Sequence, residues 1–385
     1  GITDANFYDI ALSSNKNEPI NIFINSELDG FSKAYFRTID FYPLINTSWK
    51  SFDLSRSNDN IRLTGITRIN DSIISELSIL KNLNPKSLES DRLIPNTFKS
   101  FFSFTISDTN EFLSNYQDYV SKKNLIDKLK IIEDIKIINE VTFLQDEKKS
   151  VILNIADLEL INNLSFSESI NYNNEIFDLT IPNDLNNLFS LFEKNLDLKF
   201  GILIDTFLVL SSSKDQLKKI LISFENKKTL INDLYYQKNR ENSLNRLSFL
   251  WLANTKRIQE DKIFKNSLDK KLDPSKYPFI SFEGIVDKKL SLLNFHISKA
   301  ITRELSGSIY NELIVSNTNK ITMPPKWLKN HRNNQYDFAY QDSENYLYLY
   351  SNKGDLFWKK KLSGQIIGEI QQVDLYKNGR LQMAF

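Results

Sequence analysis

The sequence predicts an α+β protein: antiparallel sheets carrying capped amphipathic helices in two related units, followed by an all-β tail. Three observations predict it. Over the first hundred positions, short runs rich in Ile, Phe, Tyr and Thr are separated by Asn, Ser, Asp and Gly, the pattern of antiparallel strands joined by turns. A strand that passes through a capping pair into an amphipathic helix occurs twice, around Asp108 and around Ser213. From Asp337 onward the helical period is replaced by strand-length runs and tight turns.

Along the chain, residues 20–24, 34–42, 49–54 and 60–68 read as strands. A helix is expected from Asp71, because Ile73, Ile74, Leu77 and Leu80 share one face and Asn84-Pro85 stops it. Residues 101–106 form a strand that leads to Asp108 and Glu111 at capping-box spacing. Phe112, Leu113, Tyr116, Tyr119 and Val120 then repeat at helical intervals. Residues 135–144 and 151–155 read as strands turned about 146–149, and a helix starts at Asp184 with Leu185, Leu188, Phe189 and Phe192 on its apolar side. The second capped unit is a hairpin of 199–204 and 207–211 about Asp205-Thr206, then Ser213 and Gln216 as the cap, then the stripe Leu217, Ile220, Leu221 and Phe224. A short helix near 230–237, a strand at 248–253, a polar stretch at 254–274 expected as a mobile loop, a hairpin of 279–286 and 290–297, and a strand at 308–315 complete the body.

The domain division expected from this pattern is a body at 1–316, made of units at about 1–145 and 146–316, then a linker at 317–336 stiffened by Met323-Pro324-Pro325. The tail, 337–385, supplies strands at 337–341, 346–351 and 356–362, and a second pass at 369–376 and 381–385. A propeller blade is a small antiparallel sheet of such strands, so the tail is expected to be a partial β-propeller: one blade and the beginning of a second. One blade cannot bury both of its faces, and a continuation past Phe385 is therefore expected.

The string from Tyr346 to Trp358, with Tyr348, Gly354 and Trp358 at its marked positions, resembles the pyrroloquinoline-quinone (PQQ)-like propeller repeat, in which an "LY…S.G…W" pattern carries the middle hairpin. The resemblance implies that Trp358 packs between adjacent blades. Residues 200–236, with Asn232-Asp233 and Tyr235-Tyr236 closing the pattern, resemble the repeated hairpin–helix unit of a group of Bacteroidota-type envelope proteins. A body of this kind joined to a propeller is similar to long proteins of marine and gliding bacteria often labelled ribonuclease HII. That resemblance implies a cell-envelope location, in the periplasm or at the outer membrane.

Composition narrows the chemistry. Lys plus Arg is 49 and Asp plus Glu is 48, a net charge of +1, so no global field draws the molecule to nucleic acid. Cysteine is absent, which excludes thiolate metal sites and cysteine nucleophiles from these residues. An excess of Asn over Gly and Pro reflects base composition rather than function. No run approaches a membrane-spanning helix; a secretory signal or lipid anchor upstream of Gly1 is compatible with the sequence.

Only two histidines exist. His296 shares strand parity with Asn294 and Ser298 and is expected to face solvent; His331 lies in a polar loop. Neither comes with a nucleophile elbow, and the ten glycines form no phosphate-cradling loop. Glu27 and Asp29 lack the Gly-Arg-Gly turn of type II ribonucleases H and read as turn residues. Asp337, Asp342 and Asp355 recur at turns, and Lys377 interrupts the calcium-loop pattern of 374–379. Lys359, Lys360 and Lys361 alternate across a strand and make no single basic face.

No catalytic, cofactor-binding or metal residue is therefore assigned. The positions singled out are structural: Tyr348, Gly354 and Trp358 in the blade, and Asp108, Glu111, Ser213 and Gln216 at helix caps. The expected function is a non-catalytic envelope binding or scaffold protein with protein partners and no cofactor. The alternative is an enzyme, a carboxylate-based hydrolase or a quinone-type propeller oxidoreductase.

Overall fold

The computed structural model describes residues 5–15, 17–25, 49–56, 60–68, 75–125, 133–163, 175–241, 243–260, 273–288, 290–300, 315, 317–330, 335–352, 354–376 and 381–385. The expected strand at 34–42, the start of the helix at Asp71, Glu27, Asp29, His331, most of 308–315 and the turn at 377–380 lie outside the described residues. The chain divides into two compact units, Gly1–Thr302 and Arg303–Phe385, with the division ahead of the expected 316/317.

The first unit is organised by one twelve-stranded sheet in which every pairing is antiparallel. After a short helix, α1 (Ala5–Leu12), the chain lays down β1 (Ile20–Asn25), β2 (Trp49–Arg56) and β3 (Asn60–Arg68) at one edge, then β4 (Ser100–Thr105), β5 (Ile138–Gln145) and β6 (Ser150–Ile155) at the centre. It continues to the far edge with β7 (Phe177–Asp178), β8 (Phe200–Ile204) and β9 (Phe207–Ser211). It then returns to insert β10 (Phe249–Asn254), β11 (Phe279–Val286) and β12 (Leu290–Ser298) between β3 and β4. Residues 145 and 146, the expected limit between the two units, fall within the β5–β6 hairpin.

Strand alternation gives this sheet two buried faces. Phe102 and Phe104 of β4 join Val141, Phe143, Val151, Leu153, Leu208, Leu210, Phe249 and Trp251 on one face. Phe101, Leu144, Ile152, Val209, Leu250 and Leu252 lie on the other. The two capped helices cover opposite faces. Phe112, Leu113, Tyr116, Tyr119 and Val120 of α2 (Thr109–Lys122) pack into the first cluster, alongside α3 (Asn183–Phe192). Leu217 and Ile220 of α4 (Lys214–Glu225) pack into the second, with Tyr236 of α5 (Leu234–Glu241). Each α2 and α4 start is held from one side only. Asp108 Oδ1 accepts from Asn110 N and Glu111 N, and Ser213 Oγ accepts from Gln216 N. The partners expected to close the boxes are engaged elsewhere: Glu111 accepts from Asn82 Nδ2 at 2.7 Å, and Gln216 Nε2 donates to the buried Asp146.

Several elements differ from expectation for local reasons. The described part of the segment after Asp71 is a 3₁₀ turn, Glu76–Leu80; Ser75 Oγ accepts from Leu77 N and so starts a new cap inside the apolar pattern. Residues 133–137 form another 3₁₀ turn before β5 begins at Ile138. The polar stretch expected as a loop contains a short helix, Thr255–Glu260, entered directly from β10.

In the second unit the described elements are strands. β13 (Ile321–Lys329), β14 (Tyr336–Asp342), β15 (Tyr346–Tyr350) and β16 (Leu356–Lys361) form a four-stranded antiparallel meander, and β17 (Gln371–Val373) pairs with β18 (Gln382–Ala384). Residues 321–329 of the expected linker thus form an edge strand. Pro324 and Pro325 are tolerated there because the β13–β14 register breaks between Met323 and Lys326, where a missing N–H leaves no ladder bond unmade.

Candidate functional site

The residues singled out in the tail come together on the β15–β16 hairpin. Tyr348 is buried and its hydroxyl donates to Asp342 Oδ2 at 2.9 Å. Asp342 organises the preceding turn: its Oδ1 accepts from Glu344 N and Tyr346 N, and its Oδ2 also accepts from Asn319 Nδ2. Burial pushes its carboxyl up, but these hydrogen bonds outweigh burial and hold it below the usual carboxylate range. Gly354 closes the next turn at φ +87°, a left-handed conformation that favours glycine, beside the Ser351–Asp355 hydrogen bonds. Asp337 accepts from Asn330 Nδ2, so Asp337, Asp342 and Asp355 are each engaged within the sheet and its turns.

Trp358 pairs with Leu349 across the ladder and remains 37% exposed. All six residues of β16 are exposed, and Phe357 (52%), Leu356 (47%) and, on the opposite edge strand, Trp327 (62%) add apolar surface. Across the sheet run the rings of Trp327, Phe338, Tyr350, Tyr340 and Tyr348, with successive centroids 5.0–5.9 Å apart. Lys359 and Lys361 both lie over the Tyr346 ring, which fixes them on one side of the strand, while alternation places Lys360 on the other. The second unit therefore presents an uncovered strand whose apolar half and basic half are adjacent.

The first unit carries a buried polar cluster that strand patterning alone does not reveal. In one cross-strand row, Thr64, Asn294, Glu283, Leu250, Ser103 and Thr142 stand side by side on the second face of the sheet. Glu283 is fully buried. Its Oε2 accepts from Arg240 Nη1 at 2.8 Å, and its Oε1 accepts from Leu244 N and Asn294 Nδ2. Glu140, 2% exposed, accepts from Glu89 N, Ser90 N, Ser103 Oγ and Thr142 Oγ1. Burial pushes its carboxyl up, against the opposing pull of those donors.

His296 corrects an expectation. It is 1% exposed, within reach of Ser281 Oγ, Asn239 Oδ1 and Ser243 Oγ, because α5 and the turn after it cover this part of the sheet. Burial first, and then the cations Arg62 and Arg240, lower its pKa to about 4. The available signal was the sequence itself: Glu283, Asn294 and His296 occur inside otherwise apolar strands, and a polar residue in such a run marks either solvent or a buried partner. Parity cannot distinguish the two. Among the described residues no three His, Asp or Glu side chains converge as metal ligands, and no helix is long and apolar enough to cross a membrane.

Compared with known proteins, the chain has no match to a family model, to a curated protein or to a solved structure.

Proposed function

We propose that this chain is a non-catalytic binding or scaffold protein of the cell envelope that acts through protein contacts, with the second unit serving as the opening blade of a β-propeller. The observation that carries this reading is the exposed edge of the four-stranded meander at β16, where Leu356, Phe357 and Trp358 stay in solvent; Trp327 is exposed on the other edge strand, β13. A sheet with apolar residues exposed on an edge strand gains stability when another surface covers it, at roughly 25 cal/mol per Å² of apolar area. The four-strand count and the Tyr348, Gly354 and Trp358 positions support the blade reading. The two strand–cap–helix passages, each with an N-cap side chain accepting from the first turn, support an origin by duplication. Envelope location rests on the resemblance of residues 200–236.

The enzyme alternative has its strongest carboxylate in Glu140, whose four donors already occupy both oxygens. Site-specific photocrosslinking in cells tests the binding reading, with the reactive residue placed at Phe357 or Trp358 and, as a control, at the exposed Tyr8. A discrete adduct from the β16 positions that is absent from the control supports it. No adduct from either β16 position, together with turnover in a nuclease and glycosidase panel, would replace it with the enzyme reading.

A further inference from the structure

We propose that a polar cleft in the first unit binds the oxyanion group, carboxylate or phosphate, of a small hydrophilic solute. The cleft encloses about 480 Å³ beside the ends of β4, β5 and β6, and Lys86, Ser107, Asn139, Asn154 and Arg246 are among its walls. This volume suits a molecule of a few tens of atoms. No aromatic ring lines it, so a flat apolar ligand finds no platform there.

A β-bulge builds the wall. The β5–β6 register skips between Ile138 and Glu140, leaving Asn139 without a cross-strand partner. In an unbroken strand Asn139 and Glu140 would point to opposite faces; here both border the cleft. Lys86 is held against the bulge, with its Nζ donating to Asn139 Oδ1 at 3.2 Å and to Ile106 O at 3.1 Å.

The charge balance of the cleft is uneven in a specific way. Its two carboxylates are engaged: Glu140 by four donors, and Glu89 by Arg92 at 3.7 Å. Its two cations are not neutralised, since neither Lys86 nor Arg246 meets a carboxylate among the described residues. Lys86 retains a third N–H, and Ser107 Oγ is buried with no hydrogen-bond partner. Two unneutralised cations and an orphaned hydroxyl around one cavity are satisfied together by an oxyanion, which accepts charge-assisted hydrogen bonds from all three. The cleft and the flank of the second unit are separate features, so this site stands independently of the binding role proposed above.

Isothermal titration calorimetry of the full chain with inorganic phosphate, tri-alanine and tri-alanine amide tests the assignment. Saturable binding of phosphate or tri-alanine is expected, weakened at least about tenfold in Arg246→Ala and by added salt. Arg246 is exposed, so its replacement leaves the fold intact; Lys86→Met is the second variant. Binding of tri-alanine but not its amide identifies a carboxylate ligand, and binding of phosphate alone identifies a phosphate ligand. Absence of saturable binding for both anions, or affinities unchanged in both variants, overturns the proposal.

Discussion

Arg240 Nη1 donates to Glu283 Oε2 at 2.8 Å, and Glu283 is completely buried beneath it. An ion pair in this setting is required less for its attraction than because either partner alone would be an uncompensated buried charge. Arg240→Ala is therefore expected to lower stability by about 3–5 kcal/mol. Arg240→Ala combined with Glu283→Gln is expected to lose less than Arg240→Ala alone. Urea denaturation of the variants measures both, and a single-variant loss below about 1 kcal/mol would rule the pair out as a structural necessity.

His296 makes stability depend on acid. Its folded pKa, about 4, lies below the ordinary value near 6.5, so the unfolded chain binds a proton that the folded chain does not. Its contribution is whole above about pH 6.5 and is lost as pH falls toward 4, an effect of about 3 kcal/mol at most. Denaturation midpoints followed from pH 7.5 to pH 4 are expected to fall less steeply in His296→Gln than in the parent chain. Parallel curves would show that the imidazole does not titrate against folding.

The helix caps give a second set of expectations. Asp108→Ala and Ser213→Ala each remove the acceptor for first-turn N–H groups and are expected to cost about 1 kcal/mol. Ser213→Gly is expected to cost only a few tenths of that. Gln216→Ala acts differently, because its side chain helps hold the buried Asp146 together with Lys219 and Arg257. Its cost is expected to shrink in an Asp146→Ala background, which a double-mutant cycle by thermal denaturation reads directly.

Gly65 is expected to tolerate no side chain. A Cβ at this position would collide with the Ser51 carbonyl oxygen on β2 and approach the Phe52 ring. Gly65→Ala must part β2 from β3, at a cost of at least about 2 kcal/mol, with faster amide exchange along 49–56. An alanine variant as stable as the parent would contradict the packing of that strand pair.

Much of the secondary structure was legible because each element states its period locally. The capped α2 stripe from Phe112 to Val120, the β8–β9 hairpin about Asp205 and the meander from Tyr336 to Lys361 all carry their turn and cap chemistry within a few residues. Where the expectation failed, a nearby group changed the outcome. Ser75 capped a short turn inside the pattern that read as a longer helix from Asp71. A register break let Met323-Pro324-Pro325 join a strand. The candidate site was less legible. Tyr348, Gly354 and Trp358 could be placed on one hairpin from spacing, whereas the bulge at Asn139 and the burial of Glu140, Glu283 and His296 depend on segments distant in the chain.

By itself the sequence determined the α+β character, the strand and cap positions, and the absence of cysteine chemistry and of a strong net charge, since these follow from local periodicity and composition. Only the tertiary structure decided that β10, β11 and β12 return between β3 and β4, that the two capped helices cover opposite faces, and that polar strand residues are buried rather than solvated. The physical reason is that alternation specifies which side of a strand a residue takes, but what covers that side is set by other segments tens of positions away, as Arg240 is from Glu283 and Asn239 from His296. The pairing of Ser103 with Leu250, and through it with Glu283, belongs to that second kind of information.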